Sequence, residues 1–404
     1  MKVAFISRWL WEEHRRAPER KGYFLELAEA VQNQGVEVRA LSQSRDVASS
    51  HARATLGTLP VRLVSRDQRS VTGAIADKII KCWGGYRKAW TDAMHIRKFL
   101  DNEGPFDILW AQCEEPDGLA CALARQMGAL PSGKKFPNLI TQVHDLRYRF
   151  LEKEVRFASR SSLSWVFAKS DVVVANSPLT ASWLHQHYAV PQNKTGVCRI
   201  HLQESFFKEA AALRAKQITP IQQVLYLGAL NEKKAPTLFL EAAWELREKM
   251  PGFEFVLIGG ETEHAPAYRK RFDSLLQRPG WSGSVKWLGK VGFGRLLEEI
   301  MRSRAVVCPS RIETFSRVTI EALALGRPVV VTSTTGAAHL IQETDAGQIV
   351  SPDNPQELAQ AIEIVAQNQI FLENASCAVS LMEKERTVEK AASDLTALFR
   401  KTLN

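Results

Sequence analysis

Short apolar runs recur along this chain, each followed by a stretch with helical periodicity, and that alternation constrains the fold more than any other feature. In the first half the runs are Lys2–Ser7, Val36–Leu41, Asp107–Ala111, Leu139–Val143 and Asp171–Ala175, with a helical pattern over Tyr23–Gln34 between the first two. Strands alternating with helices predict a parallel sheet covered on both faces. The rhythm breaks over residues 203–222, a mixed polar segment ending in Thr219 and Pro220. A second series follows: Val224–Leu227, Phe253–Ile258, Ser284–Leu288, Ala305–Cys308, Pro328–Val331 and Gln348–Val350. Two α/β domains are therefore expected, 1–205 and 206–385. Helical patterns over Gln356–Gln367 and Val388–Leu403 close the chain with no strand between them.

A length of 404 residues suits two or three domains that each bury a core, and 45% hydrophobic with 24% charged residues excludes a largely disordered or fibrous chain. No apolar stretch approaches the roughly 18 to 20 residues of a membrane-spanning helix, and Val3–Ile6 is too short for the core of a signal peptide, so a cytoplasmic protein is expected. Cys82, Cys113, Cys121, Cys198, Cys308 and Cys377 lack metal-type or redox-type spacing, which predicts reduced thiols with neither zinc nor disulfides. The net charge of +9 is uneven: residues 1–200 carry 29 Lys and Arg against 20 Asp and Glu, and the remainder carries 24 of each. Such a basic half can attract nucleic acid, anionic lipid or an acidic small molecule. No nucleic-acid-binding module is recognisable, so nucleic acid is not expected as a partner.

Ligands of open parallel sheets bind beyond the carboxyl ends of the strands, where loops and helix N-termini converge. The chemistry is therefore sought in the loops after residues 6, 143, 227, 258, 288, 308 and 331. The segment CPSRIETFSRVTIEALALGRPVVV reads as a buried strand, a polar loop Pro309–Ser316, a helix Arg317–Leu325, a stop at Gly326 and another strand. The amides of Phe315, Ser316, Arg317 and Val318 fall where the helix starts, and unpaired N–H groups there favour phosphate. A carboxylate would repel that phosphate, so Glu313 and Glu321 are better suited to accepting hydrogen bonds from sugar hydroxyls on either side of it. A nucleotide-sugar is the natural ligand of such a segment.

The same segment resembles the signature of glycosyltransferase family 4, through Pro309-Ser310, Glu313, Phe315, Glu321-Ala322, Gly326 and Pro328-Val329. The resemblance implies a GT-B fold, with two Rossmann-like domains facing each other across a cleft and the terminal helix, 386–404, returning to the first. It implies that Glu321 binds the ribose, Glu313 the donor sugar, and the amides around Phe315, Ser316 and Arg317 phosphate or sugar oxygens. VLYLGALNEKKAPTLFLEA resembles the family's first donor-domain turn: Gly228 and Lys234 match, whereas Ala229 stands where an arginine is usual and Ala235 where a glycine is. Lys234 would neutralise the leaving diphosphate, with Lys233 as a second candidate. Gly259-Gly260 and Gly289 to Val291 resemble the loops that hold the nucleobase. Gly336 matches a family glycine, and His339 stands where Glu is frequent.

In the first domain, His144 after LITQV resembles the family histidine that contacts the donor sugar, and Gly22 is the match for the N-terminal glycine loop. Arg8, Trp9, Trp11, His14, Arg15, Arg16 and Arg20 would line the acceptor side, where arginine pairs with phosphate or carboxylate and tryptophan stacks on sugar. That suggests an anionic or lipid-linked acceptor. In Lys78–Lys98, the basic Lys78, Lys81, Arg87 and Lys88 interleave with Trp83, Tyr86 and Trp90, which suits either a peripheral membrane contact or a solvated helix whose aromatic face is core. The expected activity is retaining, metal-independent and cofactor-free transfer from a nucleoside diphosphate sugar to an acceptor hydroxyl, in glycolipid, polysaccharide or other glycoconjugate synthesis. The alternative is a non-catalytic GT-B relative that binds or activates a partner. A dehydrogenase would need a glycine fingerprint followed by an acidic residue, which neither Ser7–Gly22 nor Gly228–Lys234 supplies.

Overall fold

The computed structural model describes residues 1–16, 21–44, 52–65, 74–76, 78, 88–144, 146, 157–260 and 266–404. The side chains of 16 and 157–160 are outside that description. The chain divides into two compact units, Met1–Arg199 with Val388–Asn404, and Ile200–Thr387.

The first unit is built on eight strands: β1 (Lys2–Ile6), β2 (Glu37–Ser44), β3 (Ala52–Leu56), β4 (Leu59–Ser65), β5 (Ile108–Ala111), β6 (Asn138–Gln142), β7 (Val172–Ala175) and β8 (Thr195–Val197). Their order is β3-β4-β2-β1-β5-β6-β7-β8, and every neighbouring pair is parallel except β3 with β4. The central strands are apolar throughout because both faces are covered. Helices α1 (Leu10–Arg16) and α2 (Tyr23–Gln32) lie on the face that carries Val3, Phe5, Val38, Ile108 and Trp110. Helices α3 (Ala89–Glu103), α4 (Leu119–Gln126), α5 (Phe157–Lys169) and α6 (Pro178–Tyr188) cover the other, which carries Ala4, Ile6, Leu109 and Ala111.

The second unit has six parallel strands, β9 (Gln223–Leu227), β10 (Glu254–Ile258), β11 (Val285–Trp287), β12 (Ala305–Cys308), β13 (Val329–Thr332) and β14 (Gly347–Val350), ordered β11-β10-β9-β12-β13-β14. Its helices are α7 (Glu204–Ala215), α8 (Pro236–Leu246), α9 (Pro266–Leu276), α10 (Phe293–Arg302), α11 (Arg317–Ala324), α12 (Ala338–Thr344), α13 (Pro355–Gln367) and α14 (Gln369–Glu385). The chain adds β10 and β11 to one side of β9, then returns to add β12 to the other. The loops after β9 and β12 consequently diverge, opening the crevice that ligands of doubly wound sheets occupy. In the first unit the same reversal lies between β1 and β5.

The last helix, α15 (Val388–Leu403), belongs to the first unit and packs on α2. Val388, Ala391, Ala392, Leu395 and Phe399 form one apolar stripe at helical spacing and join the core beneath Trp110, whose ring centroid lies 5.7 Å from that of Phe399. Arg199 fastens the helix with three bonds to Asp394, from its amide at 3.0 Å, Nε at 2.7 Å and Nη2 at 3.1 Å. Among the described residues, no helix is long and apolar enough to cross a membrane.

Candidate functional site

The loop leaving β9 is held in shape from within. Tyr226, at the end of that strand, shares its hydroxyl between the carbonyls of Lys234 (3.1 Å) and Ala229 (3.3 Å), and the Asn231 side chain accepts from the Lys234 amide at 2.9 Å. Burial pushes the Tyr226 phenol up, so it remains a donor. Ala235 adopts the left-handed region (φ 49, ψ 48) before Pro236 starts α8. Gly228 is turned at the strand end, its amide donating to Ile258, while Gly259 (φ +152) leaves room for the Gly228 carbonyl where any side chain would collide. These constraints fix Lys234, whose ammonium is ion-paired with the Glu313 carboxylate.

Glu313 is positioned by the neighbouring loop rather than by its own. Its amide donates to Thr334 at 3.0 Å and its carbonyl accepts from Gly336 at 2.8 Å, while Ala337 donates to the Phe315 carbonyl at 2.7 Å. Thr332 and Thr334 hydroxyls donate to Ser310 and Arg311 carbonyls at 2.5 and 2.7 Å, and the Arg311 amide reaches Lys233 at 2.8 Å. Three loops are thereby laced through their backbones. Ser316, at φ 89 and ψ 93, caps α11 by accepting from the Thr319 amide and, at 2.9 Å, from its hydroxyl. Glu321 lies one turn inside α11, buried, with its pKa raised by that burial; the Arg317 guanidinium, 3.5 Å away, acts in the opposite direction.

Lys234, Glu313, Phe315, Ser316, Arg317 and Glu321 thus meet at the switch point of the second sheet, with Lys233 tied in through its carbonyl. Gly289 (φ +66) accepts from the Gly259 amide at 2.9 Å, and Val291 follows it, half-buried, before α10. Gly228 and Gly289 therefore flank Gly259 at the ends of adjacent strands.

The candidates in the first unit are differently disposed. His144 follows β6, with its amide on the Glu114 carboxylate at 3.1 Å and its ring edge-on to Phe24 at 5.4 Å. Burial lowers its pKa to about 4 against the opposing effect of a bond to the Gln112 backbone, so the imidazole is neutral at pH 7. Gly22 caps α2 in extended geometry and lies against the Glu13 side chain, which accepts from the Tyr23 amide at 3.0 Å. Arg8 is turned inward, with Nη2 3.3 Å from Asp92 and 3.2 Å from Gln43. The loop expected after residue 6 instead contains a helix, α1. On that helix Trp11 is half-buried, Arg15 is exposed beside Glu12 at 3.6 Å, and Arg16 is the last residue. Arg20, Lys81, Cys82, Trp83, Tyr86, Arg87 and the side chain of Arg16 lie outside the described residues.

Two family models match this chain, Glycosyltransferase Family 4 over residues 22–198 and Glycosyl transferases group 1 over residues 221–368. The chain belongs to glycosyltransferase family 4. Relatives of this family 4 chain include D-inositol 3-phosphate glycosyltransferases. That of Geodermatophilus obscurus is 25% identical over 241 residues, covering 57% of this chain and 54% of the relative. That of Streptomyces scabiei is 24% identical over 368 residues, covering 84% and 76%. The chain spans about half the length of the first curated relatives it matches. Among solved structures, sucrose-phosphate synthase of Thermosynechococcus elongatus is 18% identical with a TM-score of 0.70, covering 99% of this chain and 98% of that one. Anabaena HepE in complex with UDP and glucose is 18% identical with a TM-score of 0.68, covering 99% and 100%. At such identities the likeness shows the fold, which is GT-B.

In this family 4 chain the motif reading missed one residue that bears on the donor loops. Arg386, after α14, lies with its guanidinium 5.4 Å from the Phe315 ring centroid, and its Nη2 is 3.4 Å from His339 Nε2. No local signal marks Arg386, because its partners lie far away in sequence.

Proposed function

We propose that this chain transfers a sugar, with retention, from a nucleoside diphosphate sugar to an acceptor hydroxyl. The observation that carries the reading is the Lys234–Glu313 pair, held at the switch point beside the start of α11. Lys234 and the first amides of α11 meet the diphosphate, whose negative charge grows as the sugar departs. Glu313, relieved of its lysine, accepts from the sugar hydroxyls, and Glu321 accepts from the ribose. The bond from the anomeric carbon to the diphosphate oxygen breaks, the acceptor oxygen bonds to the same face, and the acceptor proton passes to the departing phosphate. Positioning and charge stabilisation suffice for such a step, without a metal ion or cofactor. Neutral His144 is suited to hydrogen-bonding a sugar hydroxyl.

The relatives named for D-inositol 3-phosphate, together with the basic first half of the chain, support an anionic acceptor, and Trp11, Arg15 and Arg16 are its candidate contacts. Arg8 joins them only by exchanging Asp92 for the acceptor. A lipid-linked acceptor would bring the protein to the cytoplasmic face of the membrane. The decisive experiment is a thermal-shift screen of nucleoside diphosphates and their sugars, followed by donor hydrolysis with the best of them. A donor at 100 times its dissociation constant adds about 2.7 kcal/mol. Binding with no turnover against any acceptor would favour the non-catalytic alternative, for which the uncharged Ala229 is the supporting feature.

A further inference from the structure

We propose that Arg386 and His339 form a positioning pair that sets the Glu313–Phe315 segment against the sugar end of the donor. The proposal rests on the reading of that segment as donor-binding, and it concerns residues that touch the segment from behind.

The geometry fixes the chemistry of the pair. One ring nitrogen of His339, Nδ1, lies 2.8 Å from the Gly336 carbonyl; the other, Nε2, lies 3.4 Å from Arg386 Nη2. A carbonyl only accepts and a guanidinium only donates, so Nδ1 carries the proton and Nε2 presents its lone pair. The imidazole is therefore neutral. Burial and the Arg386 charge both lower the His339 pKa, against the Gly336 hydrogen bond and Glu343. Gly336, held by His339 through its carbonyl, donates its amide to the Glu313 carbonyl at 2.8 Å. The next amide, of Ala337, holds the Phe315 carbonyl at 2.7 Å, and the Phe315 ring lies under the Arg386 guanidinium. The pair thus grips the segment at both ends.

Arg386 is itself well anchored. Its amide donates to Met382 at 2.9 Å at the end of α14, its carbonyl accepts from Leu202 at 2.8 Å, and it is buried. Helix α14 packs on both α11 and α12, so the strut stands on the helices that carry Glu321 and His339. A positive group at that helix end is also favoured by the helix dipole.

The test has two arms on the full chain. In the first, ¹⁵N-histidine NMR without ligand reads the His339 tautomer, assigned with His339→Asn. The expected result is Nδ1–H, with an Nε2 resonance that moves and a pKa that rises in Arg386→Met. An Nε2–H tautomer, or a resonance unchanged in Arg386→Met, overturns the pair. In the second, UDP and UDP-glucose are the probes. His339→Ala and Arg386→Met are expected to weaken UDP-glucose and slow its hydrolysis by about tenfold or more while leaving UDP affinity within about twofold. His339→Asn, which keeps a donor for Gly336, is expected to recover most of the loss. Parallel losses of UDP and UDP-glucose, or an Asn variant as poor as the Ala variant, would leave only a structural role and overturn the positioning claim. If the native protein binds neither probe, uridine as the donor base fails, and the NMR arm still decides the pair.

Discussion

The ammonium of Lys234 and the carboxylate of Glu313, 79 residues apart in sequence, are ion-paired where the second sheet reverses its strand order. Each is the other's nearest counter-charge before donor arrives, so each is held ready at little cost in rotamer freedom. Removing either is expected to slow donor hydrolysis by about 100- to 1000-fold, the scale of losing one donor to a developing charge. Lys234→Ala should weaken nucleoside diphosphate binding, whereas Glu313→Ala should spare it and weaken the nucleotide-sugar. The double variant should be less impaired than the product of the singles, because each single removes the ion pair while leaving one of its charges, buried Glu313 or half-buried Lys234, in place. Steady-state hydrolysis and calorimetric binding would check this, and full activity in both singles would remove them from the mechanism.

Glu321 carries a stability consequence that opposes its proposed role. Burial raises its pKa in the folded chain above the ordinary 4.5, so folding takes up a proton as pH rises past that value. Stability from this group is present below pH 4.5 and lost as pH climbs through the folded pKa. Glu321→Gln is therefore expected to be the more stable protein at pH 7, matching the native one at pH 4. Its affinity for nucleoside diphosphate should fall about tenfold or more, since a hydrogen bond to a charged group is worth about 1.5–3 kcal/mol. Urea titrations at the two pH values, beside calorimetric binding, separate the effects.

The inner strands of the second unit were legible because a strand buried on both faces is apolar over most of its length: Ala305–Cys308 is read without error, and Glu254–Ile258 within one residue. β3 and β4 carry no such run, since Arg53, Pro60 and Arg62 punctuate an edge hairpin that needs only one covered face. α1 escaped notice because Trp9 to Arg16 lacks both a capping residue and a clear apolar stripe. In the site, Glu313, Glu321 and Lys234 were legible as parts of a composite motif. The inward turn of Arg8 was not, because Asp92 lies 84 residues away on α3. The strain was partly legible, since Ala235 occupies a left-handed position at the point where the family resemblance calls for glycine, whereas nothing in the sequence marks the positive φ of Ser316.

Packing rather than charge should hold the terminal helix. Phe399 is fully buried against Trp110, so Phe399→Ala is expected to destabilise the first unit by about 3–5 kcal/mol. Asp394→Asn loosens a pair in which both side chains keep some exposure, and about 1 kcal/mol or less is expected. Denaturant midpoints of the two variants would rank the contributions, and a larger loss from Asp394→Asn would contradict the assignment.

Asp117 offers the clearest pH test in the first unit. It lies beside Cys113, whose Sγ is 3.5 Å from Oδ2, and lines a cavity of about 20 Å³ with Arg8, Asp92 and His95. That volume suits a single water. Burial pushes the Asp117 pKa to about 7; Arg8 pulls it down and Asp92 pushes it further up. The unfolded chain releases this proton near 3.8 while the folded chain retains it, so stability falls as pH rises from 3.8 to about 7 and is flat above. At about 1.4 kcal/mol per unit the loss is of the order of 4 kcal/mol. Asp117→Asn cannot lose a proton, so its stability relative to the native protein should grow across that window and level off above pH 7. Other carboxylates affect both proteins alike and cancel in the difference. Urea unfolding of the pair at pH 4, 6 and 8 measures it, and a difference that stays constant with pH would show that Asp117 is already ionised in the folded state.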